Sequence, residues 1–377
     1  MTSYVNCLAI VFWLAIAIPV YAYLGYPLAL LGLGLLLRRP VKKARYLPSL
    51  SLLIPAYNEA RVIERKIRNS FLVDYPIDRL EIVIASDGST DGTEAIAREL
   101  EDGRWLRVLA FPKNCGKMAV LNAAVPHLRG EIIVFSDASA MLAPDALRRL
   151  VENFADPTVG AVSGRYRVVQ PEDAGIGASE NLYWKYETFL KTQESQVAST
   201  LGGHGQLHAI RRKLYPFPPV ETINDDYVIP LSVLARGFRS VYEPEALVYE
   251  EAREMTGFAR RIRIMTGNLQ QLRHLPQLLR PWQPLPLFFF LSHKVSRLLT
   301  PIALVTALGA NLLLLSRPLY PALFAAQLAF YALAACGLTG RLRPKALALP
   351  FYFCMLNAAA FFGLYHVLTR RRSLAWK

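Results

Sequence analysis

The chain has 377 residues, of which 53% are hydrophobic, and a formal net charge of +14. A mean hydropathy of +0.25 excludes an ordinary soluble protein of this length and directs attention to membrane segments. The charge does not call for a nucleic-acid partner: residues 1–45 and 281–377 hold five and ten basic residues and no acid, which leaves 28 basic against 29 acidic residues between them.

Taken in chain order, Tyr4 to Leu37 contains no charged residue and is followed by Arg38, Arg39, Lys42, Lys43 and Arg45. The stretch is longer than a signal-peptide core and lacks an A-x-A site, so it reads as a retained anchor with its N-terminus outside. The basic cluster then places the following residues on the cytoplasmic face. From Pro48 the pattern changes to short apolar runs at Leu50–Ile54, Leu80–Ala85, Trp105–Leu109 and Ile132–Phe135. Helical spacing fills the intervals at Glu59–Ser70, Asp91–Leu100, Lys117–His127 and Pro144–Phe154. This alternation predicts an α/β domain with a mostly parallel sheet, whose ligands sit beyond the carboxyl ends of the strands.

The residues just after those runs are polar: Pro55-Ala56-Tyr57-Asn58-Glu59, Ser86-Asp87-Gly88-Ser89-Thr90-Asp91 and Ser136-Asp137-Ala138-Ser139. Asp91 suits a turn and helix cap as well as a ligand-facing carboxylate. Asp87 and Asp137 would converge on one sheet edge, which is costly unless a cation or ligand lies between them. Other motifs fail on inspection. Asn114-Cys115-Gly116-Lys117 is no P-loop, since Met118 replaces Ser/Thr, and Arg98 stands where a calcium loop needs Glu. Gly202-Gly203-His204-Gly205 lacks the strand-to-helix setting of a dinucleotide fingerprint. Cys7, Cys115, Cys336 and Cys354 show no disulfide or zinc spacing.

In order, the Pro-Ala-Tyr-Asn-Glu opening, Asp87-Gly88-Ser89, Gly116-Lys117 with Asn122, Asp137-Ala138-Ser139, Asn224-Asp225-Asp226, Gly237-Phe238-Arg239 and Tyr242-Glu243-Pro244 resemble the inverting family 2 glycosyltransferases. That family's membrane members include cellulose, chitin and hyaluronan synthases and bacterial exopolysaccharide enzymes. The resemblance covers residues 50 to 265. It implies a GT-A fold, Rossmann-like, with transmembrane helices at both ends, and a nucleotide-sugar donor bound by Pro55, Tyr57, Glu59, Asp87, Lys117, Asp137 and Ser139. It further implies Mg2+ or Mn2+ on Asp137, an acceptor side formed by Gly202, Gly203, His204, Asp225, Arg260 and Arg263, and Asp226 as the base that takes the acceptor proton. The family's D-x-D ends here in Ser139, a poorer metal ligand than a carboxylate, and its Q-x-x-R-W reads Arg260-Arg261-Ile262-Arg263-Ile264. Loss of that tryptophan points to short products rather than long polymers.

The resulting division is 1–45 anchor and basic flank, 46–255 catalytic domain, 256–284 amphipathic segment and 285–377 membrane region with about three spans. Phe258, Ile262, Met265, Leu269 and Leu272 share one helical face, with Arg260, Arg261, Arg263 and Arg273 elsewhere, which suits a helix lying in the bilayer interface or an ordinary core helix. Tyr183, Trp184 and Tyr186 read as packing, and Lys294 and Arg297 as snorkelling side chains. The expected acceptor is a polysaccharide or a lipid-linked saccharide at an inner or plasma membrane, with other polysaccharide-assembly proteins as partners. Transfer to polyprenyl phosphate is the alternative reaction, and a non-catalytic assembly subunit that binds nucleotide sugar is the alternative class.

Overall fold

A computed structural model describes residues 2–169, 177–251, 258–337 and 348–369. Its strands are β1 (Leu50–Ala56), β2 (Leu80–Asp87), β3 (Leu106–Phe111), β4 (Ile132–Phe135), β5 (Met141–Leu142), β6 (Val159–Val169), β7 (His208–Arg211) and β8 (Arg239–Glu251). They form one sheet in the order β3-β2-β1-β4-β7-β6-β8-β5. The first four are parallel, as expected; β1, β2 and β4 are buried along their whole length and read as apolar runs, whereas β3, at the sheet edge, buries only Leu106 and Val108. The second half is mixed: β7 runs antiparallel to β4 and β6, β8 is parallel to β6, and β5 is antiparallel to β8.

Strand alternation assigns side chains to two cores. Leu52, Ile54, Ile82 and Ile84 pack on one face with Ile63 and Ile67 of α3 (Ile63–Phe71), Ala97 of α4 (Thr93–Glu99) and Leu147 of α6 (Ala146–Glu152). Leu53, Val83, Ile133 and Phe135 pack on the other with Met118 and Leu121 of α5 (Lys117–Ala124), Leu190 of α7 (Gly177–Val197) and Ile229 of α8 (Asp225–Ser232).

Among the described residues, four helical stretches are long and apolar enough to cross a membrane: Tyr4–Leu36, Pro284–Leu313, Tyr320–Gly337 and Leu349–Leu368. The first is α1 (Thr2–Val20) and α2 (Tyr26–Leu36) joined by a π-helical turn at Tyr21–Gly25. At about 1.5 Å per residue it is roughly 50 Å long, well beyond a hydrocarbon core of about 30 Å. Its surplus is inside the domain: Tyr26 and Leu30 are fully buried in the same core as Leu53. Phe289 and Phe290 enter that core from the second stretch, whose short first helix (Pro284–Phe289) passes through a second π turn, Phe290–Val295, before Ser296–Leu313. The two long helices then pack on each other through Phe12, Ala15, Ala303, Ala307 and Ala310. The expected boundaries at 45 and 285 therefore cut through the core.

Two readings of side-chain placement change. The segment Phe258–His274 is helical as expected, but its apolar face meets the last span rather than open lipid: Phe258 lies 5.8 Å from Phe362, and a Cβ on Gly363 would sit 3.0 Å from Met265 Cβ. The side chains of Arg260, Leu272 and Arg273, and the tail Arg370 to Arg372, lie outside the described parts. Lys294 and Arg297 do not snorkel to an exposed surface. Lys294 Nζ lies 5.0 Å from the Tyr227 ring centroid, and Arg297 binds Glu187.

Gly130 marks the tightest turn into the sheet, since a Cβ there would lie 2.4 Å from the Ser51 backbone nitrogen. Gly130→Ala should lower the stability of the purified chain by about 1–3 kcal/mol in denaturant unfolding. Gly309→Ala, with nothing within 4 Å of the new Cβ, should not lower it; equal stability of the two variants would contradict the crossing.

Candidate active site

The loops after β1, β2 and β3 are laced together by side chains that accept backbone N–H groups. Asn58, at φ 54°, turns the chain after Tyr57. Its N–H donates to Ser89 Oγ (3.1 Å), and its Oδ1 accepts from the Thr90 N–H (2.9 Å). Asp91 accepts the Ala60 N–H (3.0 Å), the Thr93 N–H (3.0 Å) and the Thr93 hydroxyl (2.5 Å), so its role is to organise the start of α4. Asp87 is fully buried and accepts the Cys115 N–H at Oδ1 (2.7 Å) and the Gly116 N–H at Oδ2 (2.9 Å). It thereby fixes the turn from which Lys117 begins α5. Gly88 has φ 64°, and a Cβ there would lie 2.5 Å from the Lys113 carbonyl carbon, so only glycine lets these loops close. Pro55 is buried at the end of β1, and Tyr57 and Glu59 are half-buried beside it.

Lys117 reaches across the sheet edge to Asp137 Oδ1 (2.8 Å) and Asp225 Oδ2 (3.0 Å). Burial disfavours an ammonium ion, yet the two carboxylates overrule it and hold the Lys117 pKa above its ordinary value. Burial likewise opposes charge on Asp225, but Lys117 holds that carboxyl below the usual range. Asp226 has no such direct partner. Burial, together with the neighbouring charge of Asp225, pushes its pKa up to about 6. Gly205 keeps the gap between the two sides open: a Cβ there would lie 3.6 Å from Asp137 Oδ2 and 3.8 Å from Asp226 Cγ. One glycine-lined space is thus bounded by Asp137 and Asp226.

Asp137 Oδ2 is a hard oxygen donor facing this space, which fits Mg2+ or Mn2+. No cluster of three His, Cys, Asp or Glu side chains that could hold a metal occurs among the described residues, and Asp137 is the carboxylate whose Oδ2 lies at this space. Ser139 does not join it. Its hydroxyl donates to Glu250 Oε1 on β8 (2.6 Å), a contact that the sequence reading did not anticipate. The Asp137 turn is pinned from below by Lys66, fully buried on α3, which donates to Ser136 Oγ (2.7 Å) and to the Ala140 carbonyl. Burial brings the Lys66 pKa down to about 7.

On the acceptor side, the Gly203 N–H donates to the Asp226 carbonyl (2.9 Å). Lys191 of α7 donates to the Gly203 carbonyl (3.0 Å) and contacts His204 Nε2 at 3.1 Å. Burial lowers the Lys191 pKa to about 8 and, with the Lys191 charge, holds His204 neutral. Tyr166, Trp184 and Tyr242 surround that ring at centroid distances of 6.3, 5.3 and 5.8 Å, so Trp184 packs, as read, and in packing supports the loop. Asn224 Nδ2 donates to the Ile264 carbonyl (3.1 Å) and Asn268 Oδ1 (3.0 Å), tying the Phe258–His274 helix to the residue before Asp225. Arg260 and Arg263 lie on that helix; Arg263 is half-buried.

Sequence reading missed Lys66, Lys191 and Glu250. A signal existed for the two lysines. Lys66 falls on the buried stripe Ile63, Ile67, Ser70, and Lys191 on the stripe Glu187, Leu190, Glu194, where a charged residue at core spacing marks a buried ion. Glu250 carries none, because its link to Ser139 spans 111 positions.

Lys117→Met would leave Asp225 buried without its cation. We expect a loss of about 3 kcal/mol at neutral pH, as for a broken buried pair, and a further rise in the Asp226 pKa, since Lys117 now lowers it. Denaturant unfolding and the acid limb of the activity profile check both; an unchanged limb would show that Lys117 does not act on Asp226.

Residues 51–216 match the family model Glycosyl transferase family 2. A beta-monoglucosyldiacylglycerol synthase from Nostoc sp. is 33% identical over 221 residues, 55% of this chain and 45% of the relative. A poly-beta-1,6-N-acetyl-D-glucosamine synthase from Staphylococcus aureus is 23% identical over 242 residues, 62% of this chain and 58% of the relative. The chain therefore spans about half the length of these curated relatives. A solved mannosyltransferase from Pyrobaculum calidifontis, in complex with GDP-Man and Mn2+, superposes with a TM-score of 0.75 at 28% identity, covering 96% of this chain and all of the other. Residues 51–216, the larger part of the α/β domain, are a glycosyl transferase family 2 domain.

Proposed function

We propose that this chain is an inverting glycosyltransferase that takes a sugar from a nucleoside-diphosphate donor and passes it to a hydroxyl of a saccharide or lipid-linked acceptor at the cytoplasmic face of a membrane. The observation that carries this reading is the pairing of Asp137 and Asp226 across the Gly205 gap, one held by an ammonium and the other left with a raised pKa. The GDP-Man and Mn2+ of the mannosyltransferase and the printed names of the two synthases support it. The Arg38–Arg45 cluster supports the cytoplasmic side.

In this reading the donor lies along the ends of β1, β2 and β4, on the side of Pro55, Tyr57, Glu59 and Asp87. Lys117 neutralises charge that develops on the departing diphosphate oxygen. A divalent cation, Mg2+ or Mn2+, would be held by Asp137 and would supply further neutralisation there. The acceptor hydroxyl enters from the Gly202-Gly203-His204 side and gives its proton to an Asp226 carboxylate oxygen. The freed oxygen bonds to the anomeric carbon as the bond to the diphosphate breaks. A pKa near 6 leaves Asp226 ionised at neutral pH, yet more basic than an ordinary aspartate. A single base and no carboxylate nucleophile give a single displacement, hence inversion. Ile264, where a polymerising relative has tryptophan, supports one or few additions per encounter. A non-catalytic subunit would have no use for a half-buried carboxylate kept basic at the sheet edge.

Asp226→Asn keeps size and hydrogen bonding but removes the base. Turnover should fall by about 10² to 10⁴ with donor affinity unchanged, and Asp225→Asn should be milder in turnover but destabilising. For the parent enzyme, kcat/KM should climb with pH through about 6 and level off above, because the base is protonated below that value. Near-normal turnover of Asp226→Asn, or loss of donor binding in step with turnover, would move the base elsewhere. EDTA should suppress turnover, and Mg2+ or Mn2+ should restore it; full activity in EDTA would leave the diphosphate to Lys117 alone.

A further inference from the structure

Where the two long helices leave the α/β domain they enclose a cavity of about 80 Å3, walled by Tyr23, Tyr183, Glu187, His293, Lys294 and Arg297. Both helices unwind into π turns at this level, Tyr21–Gly25 and Phe290–Val295, and the turns are fastened by a 2.7 Å hydrogen bond between the Tyr21 and Ser292 hydroxyls. A π turn costs helix stability and marks functional positions more often than chance. Here it directs three potential cations of one segment, His293, Lys294 and Arg297, into the same hole.

The nearby carboxylates are already engaged. Glu194 accepts from His293 Nδ1 (2.5 Å), the Tyr26 hydroxyl (2.7 Å) and the Leu201 N–H (2.9 Å). Glu187 takes one edge of Arg297 and lies 3.6 Å from His293 Nε2. Donors remain. Nε and Nη2 of Arg297 are buried with no hydrogen-bond acceptor, the guanidinium lying over the Tyr23 and Tyr186 rings at 5.4 and 5.5 Å. Lys294 has the Tyr227 ring at 5.0 Å as its recorded neighbour. Each unmet buried donor costs about 1–3 kcal/mol, so the cavity is built for something that accepts from several directions. A tetrahedral oxyanion does this, whereas a neutral hydroxyl cannot.

Two further observations say what the anion is attached to. The cavity lies at the head of the Ser296–Leu313 helix and is also lined by Met265, Leu298 and Leu356, so it opens among apolar membrane helices. On its other side Lys294 Nζ comes within 3.9 Å of where a Cβ on Gly202 would be, and Gly203 is bonded to the Asp226 carbonyl. One end therefore meets lipid and the other meets the acceptor loop. We infer that this cavity binds the phosphate of a lipid-linked acceptor, whose sugar hydroxyl then reaches Asp226. The inference rests on the transferase reading above and narrows its acceptor. It also separates two chemistries: a phosphate oxygen is already ionised and needs no base, so transfer onto the phosphate itself would leave Asp226 idle.

The test uses the full chain in a nonionic detergent, titrated with a polyprenyl phosphate, the corresponding polyprenol and inorganic phosphate, with bound lipid counted by native mass spectrometry. The polyprenyl phosphate should bind at least tenfold tighter than either of the others. Lys294→Met, which breaks no ion pair, should reduce that preference about tenfold or more while nucleotide affinity and melting temperature hold, and Lys294→Arg should recover most of it. Equal binding of polyprenol would overturn the anion site, and equally tight inorganic phosphate would overturn its assignment to lipid. If no nucleotide sugar binds or turns over but the lipid phosphate still depends on Lys294, the transferase reading fails and the anion site stands. If sugar is transferred while lipid binding ignores Lys294, the reverse holds.

Discussion

The Lys117 ammonium lies between Asp137, at the end of a parallel strand, and Asp225, at the start of α8, at 2.8 and 3.0 Å. Without it, two carboxylates at one partly buried sheet edge would repel each other, and one would take up a proton. With it, the parallel half of the sheet and the helix that carries Asp226 are held in one register. The charge also divides the aspartates into two kinds. Asp137 and Asp225 share a cation, which holds the Asp225 carboxyl below the usual range, while Asp226, one residue further on, keeps the raised pKa that suits a base. The supporting contacts serve this arrangement: Asp87 fixes the turn that launches Lys117, Lys66 pins the Asp137 turn, and Asn224 ties α8 to the following amphipathic helix.

The membrane helices are part of the same construction. Tyr26, Leu30, Phe289 and Phe290 complete the core face formed by Leu53, Ile133 and Phe135, so the domain is docked on the helices rather than tethered to them. In the proposed reaction, docking of this kind would help to bring a soluble donor and a membrane-held acceptor within bonding distance of Asp226. The π turns lie at the junction, where straight helices would have closed the cavity.

Much of this was legible in the sequence, and the limits have physical reasons. The strands β1, β2 and β4 were visible because parallel strands buried on both faces read as apolar runs, and three of the loops because polar residues gather at the strand ends. The strands β6 and β8 were not, since Ser163, Arg165 and Arg167 interrupt the first and the pairing shifts at Gly164. Hydropathy marked Tyr4–Leu37 and Leu285–Leu315 but could not divide bilayer from protein interior, which are equally apolar to a Leu or Phe. The motif order singled out Asp137 and Asp226, which the fold brings to either side of Gly205, and Ser139, whose hydroxyl donates to Glu250. Lys294 and Arg297 show a limit: a charge in an apolar run signals a partner but does not name it, and Glu187 is more than a hundred positions away.

Passage of the sugar in one displacement across the Gly205 gap is tested most directly by the anomeric configuration of the product. Proton NMR of the new linkage, formed from the nucleotide sugar that the purified chain turns over, should show the configuration opposite to that of the donor. Retention would require a carboxylate nucleophile on the donor side and would contradict the assignment of Asp226 as the base for a single displacement.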